Sequence, residues 1–216
     1  MRVGVLALQG GFAAHVRSLE RLGHQAREIR AARDLEGIDG LVLPGGESSV
    51  MLDLLSRDGG ALERALRDHV GRGAPLLATC AGLILSAREV RAPRLSQDRP
   101  GPDRPSGHSR PDQRSLAFID VAVTRNAYGR QLASKQTRDD LDRMPLFIIR
   151  APQIVAVAPA VEILATHEGR PVLVREGNRV GATFHPELTD DLSVHALAFG
   201  RASSLVPRAA WPQKSV

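Results

Sequence analysis

Residues 74–87 read APLLATCAGLILSA and hold the chain's only cysteine, Cys80. An apolar run leads into the cysteine, and small residues flank it: Ala78 and Thr79 before, Ala81 and Gly82 after. A short apolar run that stops at small residues and restarts with helical character reads as a buried strand, a sharp turn and a helix. Bulky neighbours would collide across such a turn, so the composition suits a residue presented at a tight bend. The bend sets a thiol at the start of a helix, where unpaired amides and the aligned peptide dipoles favour a thiolate. A buried, inert thiol fits the same stretch, since free cysteines are often interior.

The pattern repeats outward from this unit. RVGVLAL (2–8) is a β-branched apolar run closed by QGG, and FAAHVRSLERLG (12–23) has helical spacing of Phe12, Val16 and Leu19. QAREIR predicts a weak second strand and GLVLPGG (40–46) another that ends in a turn. SSVMLDLLSRDG and ALERALRDHVGRG predict helices closed by glycine, APLLATC a strand, and AGLILSAREV the helix after it. Beyond residue 115, LAFIDVAV, LFII, VEILATH, PVLVRE and RVGATFHPE predict strands, and DDLSVHALAFGRA a last helix. Alternating strands and helices predict a three-layer α/β fold, a mostly parallel sheet flanked by helices on both faces.

Composition narrows the class. A length of 216 residues and 43% hydrophobic content suit one domain with a sizeable core. We expect that domain to span residues 1–202. A single cysteine excludes an internal disulfide framework and suits a reducing cytoplasm. The first apolar run stops at Gly10, too short to span a membrane. The net charge of +5 is local: residues 91–114 hold six arginines against three aspartates, and residues 201–216 hold Arg201, Arg208 and Lys214 without an acid. The rest of the chain is therefore close to neutral, which argues against a nucleic-acid-binding face. Residues 91–115, rich in proline and charge, predict a flexible insertion, and residues 203–216 a loose tail.

A thiolate nucleophile needs a base. His15, His24, His69 and His195 fall in helical or helix-flanking contexts and read as solvated or capping. His108 lies in the insertion, and His167 precedes a Glu-Gly turn. His185 stands apart, at a strand end in GATFHPEL (181–188), followed by Pro186 and Glu187. In extended chain, residues two apart share a side, so Glu187 would face and orient the imidazole as the third member of a triad does. LPGGES (43–48) supplies two glycines at a strand end, whose amides could hold an oxyanion.

In their order and spacing these segments resemble the class I (triad) glutamine amidotransferases. Within them they resemble the family of glutaminase subunits of pyridoxal 5′-phosphate synthase. GVLALQGGFAAH (4–15), LPGGESS (43–49), TCAGLILSA (79–87), RNAYGRQ (125–131), IIRAP (148–152) and TFHPELTDD (183–191) carry the resemblance. It implies Cys80 as nucleophile, His185 as general base and acid, and Glu187 as its orienting carboxylate. It implies that L-glutamine is held at Gly46, Glu47, Ser48, Arg125, Ile149 and Arg150, with backbone amides of Gly46 and Ala81 at the oxyanion. It implies no metal or cofactor, and a separate barrel-fold synthase subunit that receives the ammonia to build pyridoxal 5′-phosphate. The chain departs from the family pattern at Ala78, where glycine is usual, at the missing serine before Phe184, after Gln131, and in the insertion. Three rival readings remain: an amidotransferase subunit serving another acceptor, a silenced binding subunit, and a cysteine hydrolase or peptidase of similar fold acting on other amides.

Overall fold

The computed structural model describes residues 1–91, 113–125 and 134–200. In chain order the first half runs β1 (Arg2–Leu6), α1 (Phe12–Arg21), β2 (Gln25–Ile29), β3 (Gly40–Leu43), α2 (Ser48–Ser56), α3 (Ala61–Gly71), β4 (Leu76–Thr79), α4 (Ala81–Ser86) and β5 (Ala87–Arg91). The second half runs β6 (Ile119–Thr124), β7 (Lys135–Arg138), β8 (Pro145–Ile148), β9 (Gln153–Val157), β10 (Glu162–His167), β11 (Arg170–Glu176), β12 (Arg179–Ala182) and α5 (Ser193–Phe199).

A seven-stranded sheet in the order β10-β11-β12-β4-β3-β1-β2 forms the centre. From β12 to β2 all pairs are parallel, and β10 and β11 extend the sheet as antiparallel neighbours. The alternation of side chains explains the layers. On β3, Leu41 and Leu43 enter one apolar core, while Val42 enters the other. On β4, Leu76 and Ala78 go with the first and Leu77 with the second. Met51 and Leu55 of α2, Leu66 and Val70 of α3 and Leu83 of α4 cover the first face. Leu19 of α1 with Val194 and Phe199 of α5 cover the second. Each fully buried leucine contributes about 1.5–3 kcal/mol by leaving water.

The helix predicted through AGLILSAREV is half a helix. It stops at Ser86, and residues 87–91 form β5, whose Ala87 and Val90 are buried while Arg88 and Arg91 are exposed. Parallel pairing with β6 favours the extended form there over local helix propensity. β6 also pairs with β9 in a three-stranded sheet, and β7 pairs with β8 in a two-stranded one. β5, β7 and β9 were not expected as strands. The strand predicted through RVGATFHPE ends at Ala182, and residues 186–188 form a 3-10 turn. The expected insertion falls largely, and the expected tail wholly, outside the described residues, as do residues 126–131 of RNAYGRQ.

Candidate active site

Parallel strands deliver their carboxyl ends to one edge of a sheet, where loops can converge. β4 ends at Thr79 and α4 begins at Ala81, so Cys80 alone makes the turn. Its backbone is left-handed, φ 47° and ψ −107°, a conformation that costs a non-glycine residue roughly 1–3 kcal/mol. The bend is held from both sides. Cys80 N–H donates to Ala182 O on neighbouring β12 at 2.9 Å, and Ile84 N–H donates to Cys80 O at 3.2 Å. Gly82 lets the new helix lie on β3: a Cβ there would collide with the Leu43 carbonyl oxygen. Cys80 is 6% exposed, and its Sγ lies 3.8 Å from the carbonyl oxygen of Ile149.

His185 follows the end of β12, and it and Cys80 both border Gly45. Its N–H donates to Phe147 O of β8 at 2.9 Å, fixing the backbone just before the 3-10 turn. His185 Nδ1 lies 2.8 Å from Glu187 Oε1. The pair forms, but by a route other than the one expected: the 3-10 turn, not an extended strand, folds Glu187 back onto the ring. The Cys80 side chain is the other group that acts on the ring. Since Nδ1 is committed to Glu187, Nε2 is the ring nitrogen left for proton exchange. Burial alone would push the imidazole down. Cys80 and Glu187, with their negative charge, outweigh it, and the pKa rises to about 10. Burial likewise opposes ionisation of Glu187, yet the histidines beside it hold the carboxyl below its ordinary value.

The glycine motifs pack against this constellation. A Cβ on Gly45 would collide with His185 Cε1 and stand 3.4 Å from Cys80 Cβ. A Cβ on Gly11 would stand 2.9 Å from Glu187 Oε1. Gly11 N–H in turn donates to Gly45 O at 3.3 Å. Gln9 Nε2 donates to Glu47 O at 2.7 Å, tying LQGG to LPGGES.

One cleft of about 430 Å³ is lined by Gly46, Glu47, Ser48, Cys80, Ala81, Arg125, Ile149, Arg150, His185 and Glu187. All the site residues expected from the sequence therefore meet in one place. Within it the Arg125 guanidinium lies 3.4 Å from Glu47 Oε1 and 3.1 Å from Ser49 Oγ, and it also bonds Gln113 Oε1. Gln113 Oε1 accepts from Ser48 Oγ at 3.1 Å as well. Arg150 takes a left-handed backbone, φ 41°, in the loop after β8. Among the described residues no group of three or more His, Cys, Asp or Glu could hold a metal ion, and no helix is long and apolar enough to cross a membrane.

Three residues of the neighbourhood escaped the sequence reading. His15 and His195, expected as solvated or capping, are both fully buried, and their rings meet with Nδ1 of His15 2.9 Å from Nε2 of His195. His69, expected the same way, is 6% exposed and lies away from this cleft. A signal was present: His15 stands three after Phe12 and four before Leu19, and His195 four before Phe199, so both lie on apolar helix faces. Gln113, at the end of the insertion, carried no such pattern.

The model of the SNO glutamine amidotransferase family matches residues 5–99 and 105–202. The chain belongs to the SNO glutamine amidotransferase family. Its relatives within this family include the pyridoxal 5′-phosphate synthase subunit PdxT of Corynebacterium jeikeium, 45% identical over 90% of this chain and 93% of that protein. The protein of the same description from Deinococcus radiodurans is 42% identical over 94% of this chain and 97% of its own length. A crystal structure described as a glutamine amidotransferase superposes with TM-score 0.73 at 37% identity, covering 91% of this chain and 98% of that one. The structure of PurLQS from Thermotoga maritima, 14% identical with TM-score 0.56 over 91% of this chain and 96% of that one, shares the fold alone.

Proposed function

We propose that this chain is the glutaminase subunit of a pyridoxal 5′-phosphate synthase. In this reading it hydrolyses L-glutamine to glutamate and passes the ammonia to a partner synthase subunit of barrel fold. The observation that carries the reading is the convergence of Cys80, at its strained turn, with the His185–Glu187 pair in one cleft, in a chain 45% identical to a PdxT subunit.

The chemistry follows from the placement. The charge on the His185 imidazolium is the counterpart of a negative sulfur, and Glu187 stabilises that charge through Nδ1. The Cys80 thiolate attacks the side-chain carbonyl carbon of glutamine, and the C=O π pair moves to oxygen. Backbone amides of Gly46 and Ala81 hold that oxyanion. His185 gives its Nε2 proton to the leaving nitrogen, the C–N bond breaks, and ammonia and a thioester remain. Water then loses a proton to His185 and attacks the thioester, and the C–S bond breaks. Glutamate leaves and the thiolate–imidazolium pair is restored.

Glutamine's own charges match the cleft mouth. Arg125 suits its α-carboxylate and the Glu47 carboxylate its α-ammonium, with Ser48 and the Ile149–Arg150 backbone completing the hold. Free ammonia would be largely protonated at neutral pH and lost as a nucleophile, so direct transfer to a docked synthase is the economical arrangement. Glutamate release from glutamine is the test, measured with and without the synthase. The wild type should be slow alone and rise strongly with the partner, while Cys80→Ala should be inactive in both. Full-speed hydrolysis by Cys80→Ala would end the reading.

A further inference from the structure

Behind the three residues that meet the substrate lies a second, fully buried layer. The second carboxylate oxygen of Glu187, Oε2, is buried and makes no hydrogen bond of good geometry among the described residues. The polar atom facing it is His15 Nε2, 3.3 Å away, with both side chains fully enclosed. His15 Nε2 is also 3.1 Å from Thr79 Oγ1, one residue before the nucleophile. On its other side His15 Nδ1 meets His195 Nε2 at 2.9 Å.

Proton valence decides how this layer is wired. An ionised carboxylate only accepts, so the ring nitrogen facing Oε2 must carry hydrogen. Burial outweighs the attraction of Glu187 and keeps His15 neutral, and a neutral imidazole has one N–H. His15 Nδ1 is then an acceptor, and His195 Nε2 must be the donor. That leaves His195 Nδ1 without a hydrogen, which agrees with its having no partner among the described residues. His195 is neutral too, its pKa pushed down to about 3, by burial first and then by His15. The titratable groups acting on His15 are Glu187 and His185, with His195 against its ring.

We propose that His15 is a positioning residue for glutamine hydrolysis. Its Nε2–H, held in that tautomer by His195, steadies the free oxygen of Glu187 and so fixes the plane of the carboxylate that orients His185. The inference rests on the triad reading above. His15 does not line the substrate cleft, so its loss should appear in turnover and not in glutamine binding. A carboxylate free to turn also supports the imidazolium less well, which raises the pH at which Cys80 becomes reactive.

The test uses the full chain docked to its synthase, with kcat and KM for glutamine from glutamate release. Alongside it, the pH dependence of Cys80 alkylation by iodoacetamide needs no glutamine. His15→Leu should lower kcat roughly 30-fold or more with KM within about twofold, and move the alkylation midpoint up by half a pH unit or more. His15→Gln, whose terminal amide N–H can take the place of the Nε2–H, should recover most of the turnover. His195→Leu, which removes only the tautomer's donor, should lose roughly three- to tenfold. A folded His15→Leu with wild-type kcat and alkylation profile overturns the proposal, as does a His15→Gln that melts like wild type but turns over like His15→Leu. If His15→Leu does not fold, unchanged kcat and alkylation in His195→Leu overturn it instead. Should the wild type release no glutamate while Cys80 alkylation still responds to His15, the glutaminase reading falls and the positioning role stands.

Discussion

Two carboxylates in this molecule are both buried but keep opposite company. Glu187 is 7% exposed and Asp139 4%. Burial alone would raise both pKa values, and in both the surroundings lower them instead. Asp139, in the turn between β7 and β8, accepts from the backbone N–H of Met144 at 2.8 Å and of Arg143 at 2.6 Å, and from the Arg143 guanidinium at 3.2 Å. None of those donors gives up its proton near neutral pH. Glu187 faces a neutral His15 and the His185 ring, and imidazole is a group that can take up and release a proton at the nitrogen turned away from the carboxylate. A carboxylate caged by permanent donors fixes a chain, while one caged by histidines can answer a proton moving on its neighbour. Burial and a lowered pKa do not separate the two cases; the titratability of the partners does.

Substitution should break that symmetry. Glu187→Gln removes the charge that supports the imidazolium. Glutaminase kcat with the synthase should fall by roughly 10²–10⁴, on the order of 3–5 kcal/mol in the barrier. Its melting temperature should move far less than that loss suggests. Asp139→Asn should do the reverse. Weakening a buried, charge-assisted network costs about 2–3 kcal/mol of stability, read as a melting temperature lower by roughly 4–12 °C. Turnover per folded molecule should stay within about twofold. Equal losses of activity in the two variants would show that the distinction of partners is empty.

Acid sharpens the comparison further. The Asp139 pKa is depressed in the folded state, so its contribution is fully present above the ordinary value of 3.8 and is lost as pH falls through the lower folded value. The melting-temperature gap between wild type and Asp139→Asn should therefore be widest at neutral pH and close as pH drops below about 4. A gap that stays constant to pH 3 would remove Asp139 as the cause. The smallest effect belongs to a carboxylate with no enclosure at all. Asp53, paired with Arg57 at 3.3 Å on the open face of α2, should change stability by less than about 0.5 kcal/mol when replaced by alanine.

The legible parts of the fold were those set by local period. α1, α2 and α3 carry helical apolar spacing, β1, β3 and β4 are short apolar runs bounded by turn residues, and all of them stand where those signals predict. β7, KQTR, has no large apolar residue; its pairing with β8 makes it a strand. β5 was hidden because its first residues continue a helical pattern that tertiary pairing overrides. In the site, Cys80 and His185 were legible because each stands beside residues that favour a turn, while Glu187 was paired with His185 by an extended-chain argument that the 3-10 turn replaces. His15 and His195 were not, because each contributes a polar atom from an otherwise apolar helix face. The chain of contacts that joins them closes over 180 positions of sequence.

Gly10 and Gly45 lie against each other between β1 and β3, and a methyl group on Gly10, whose φ is +85°, would collide with the Gly45 carbonyl oxygen. Gly45 in turn leaves no room for a methyl beside His185. The spacing between the two loops is thus transmitted directly to the His185 ring, without any flexible link to absorb an error. A screen of random variants should find position 10 as intolerant as Cys80, although glycine offers no group that could exchange a proton or form a bond with substrate.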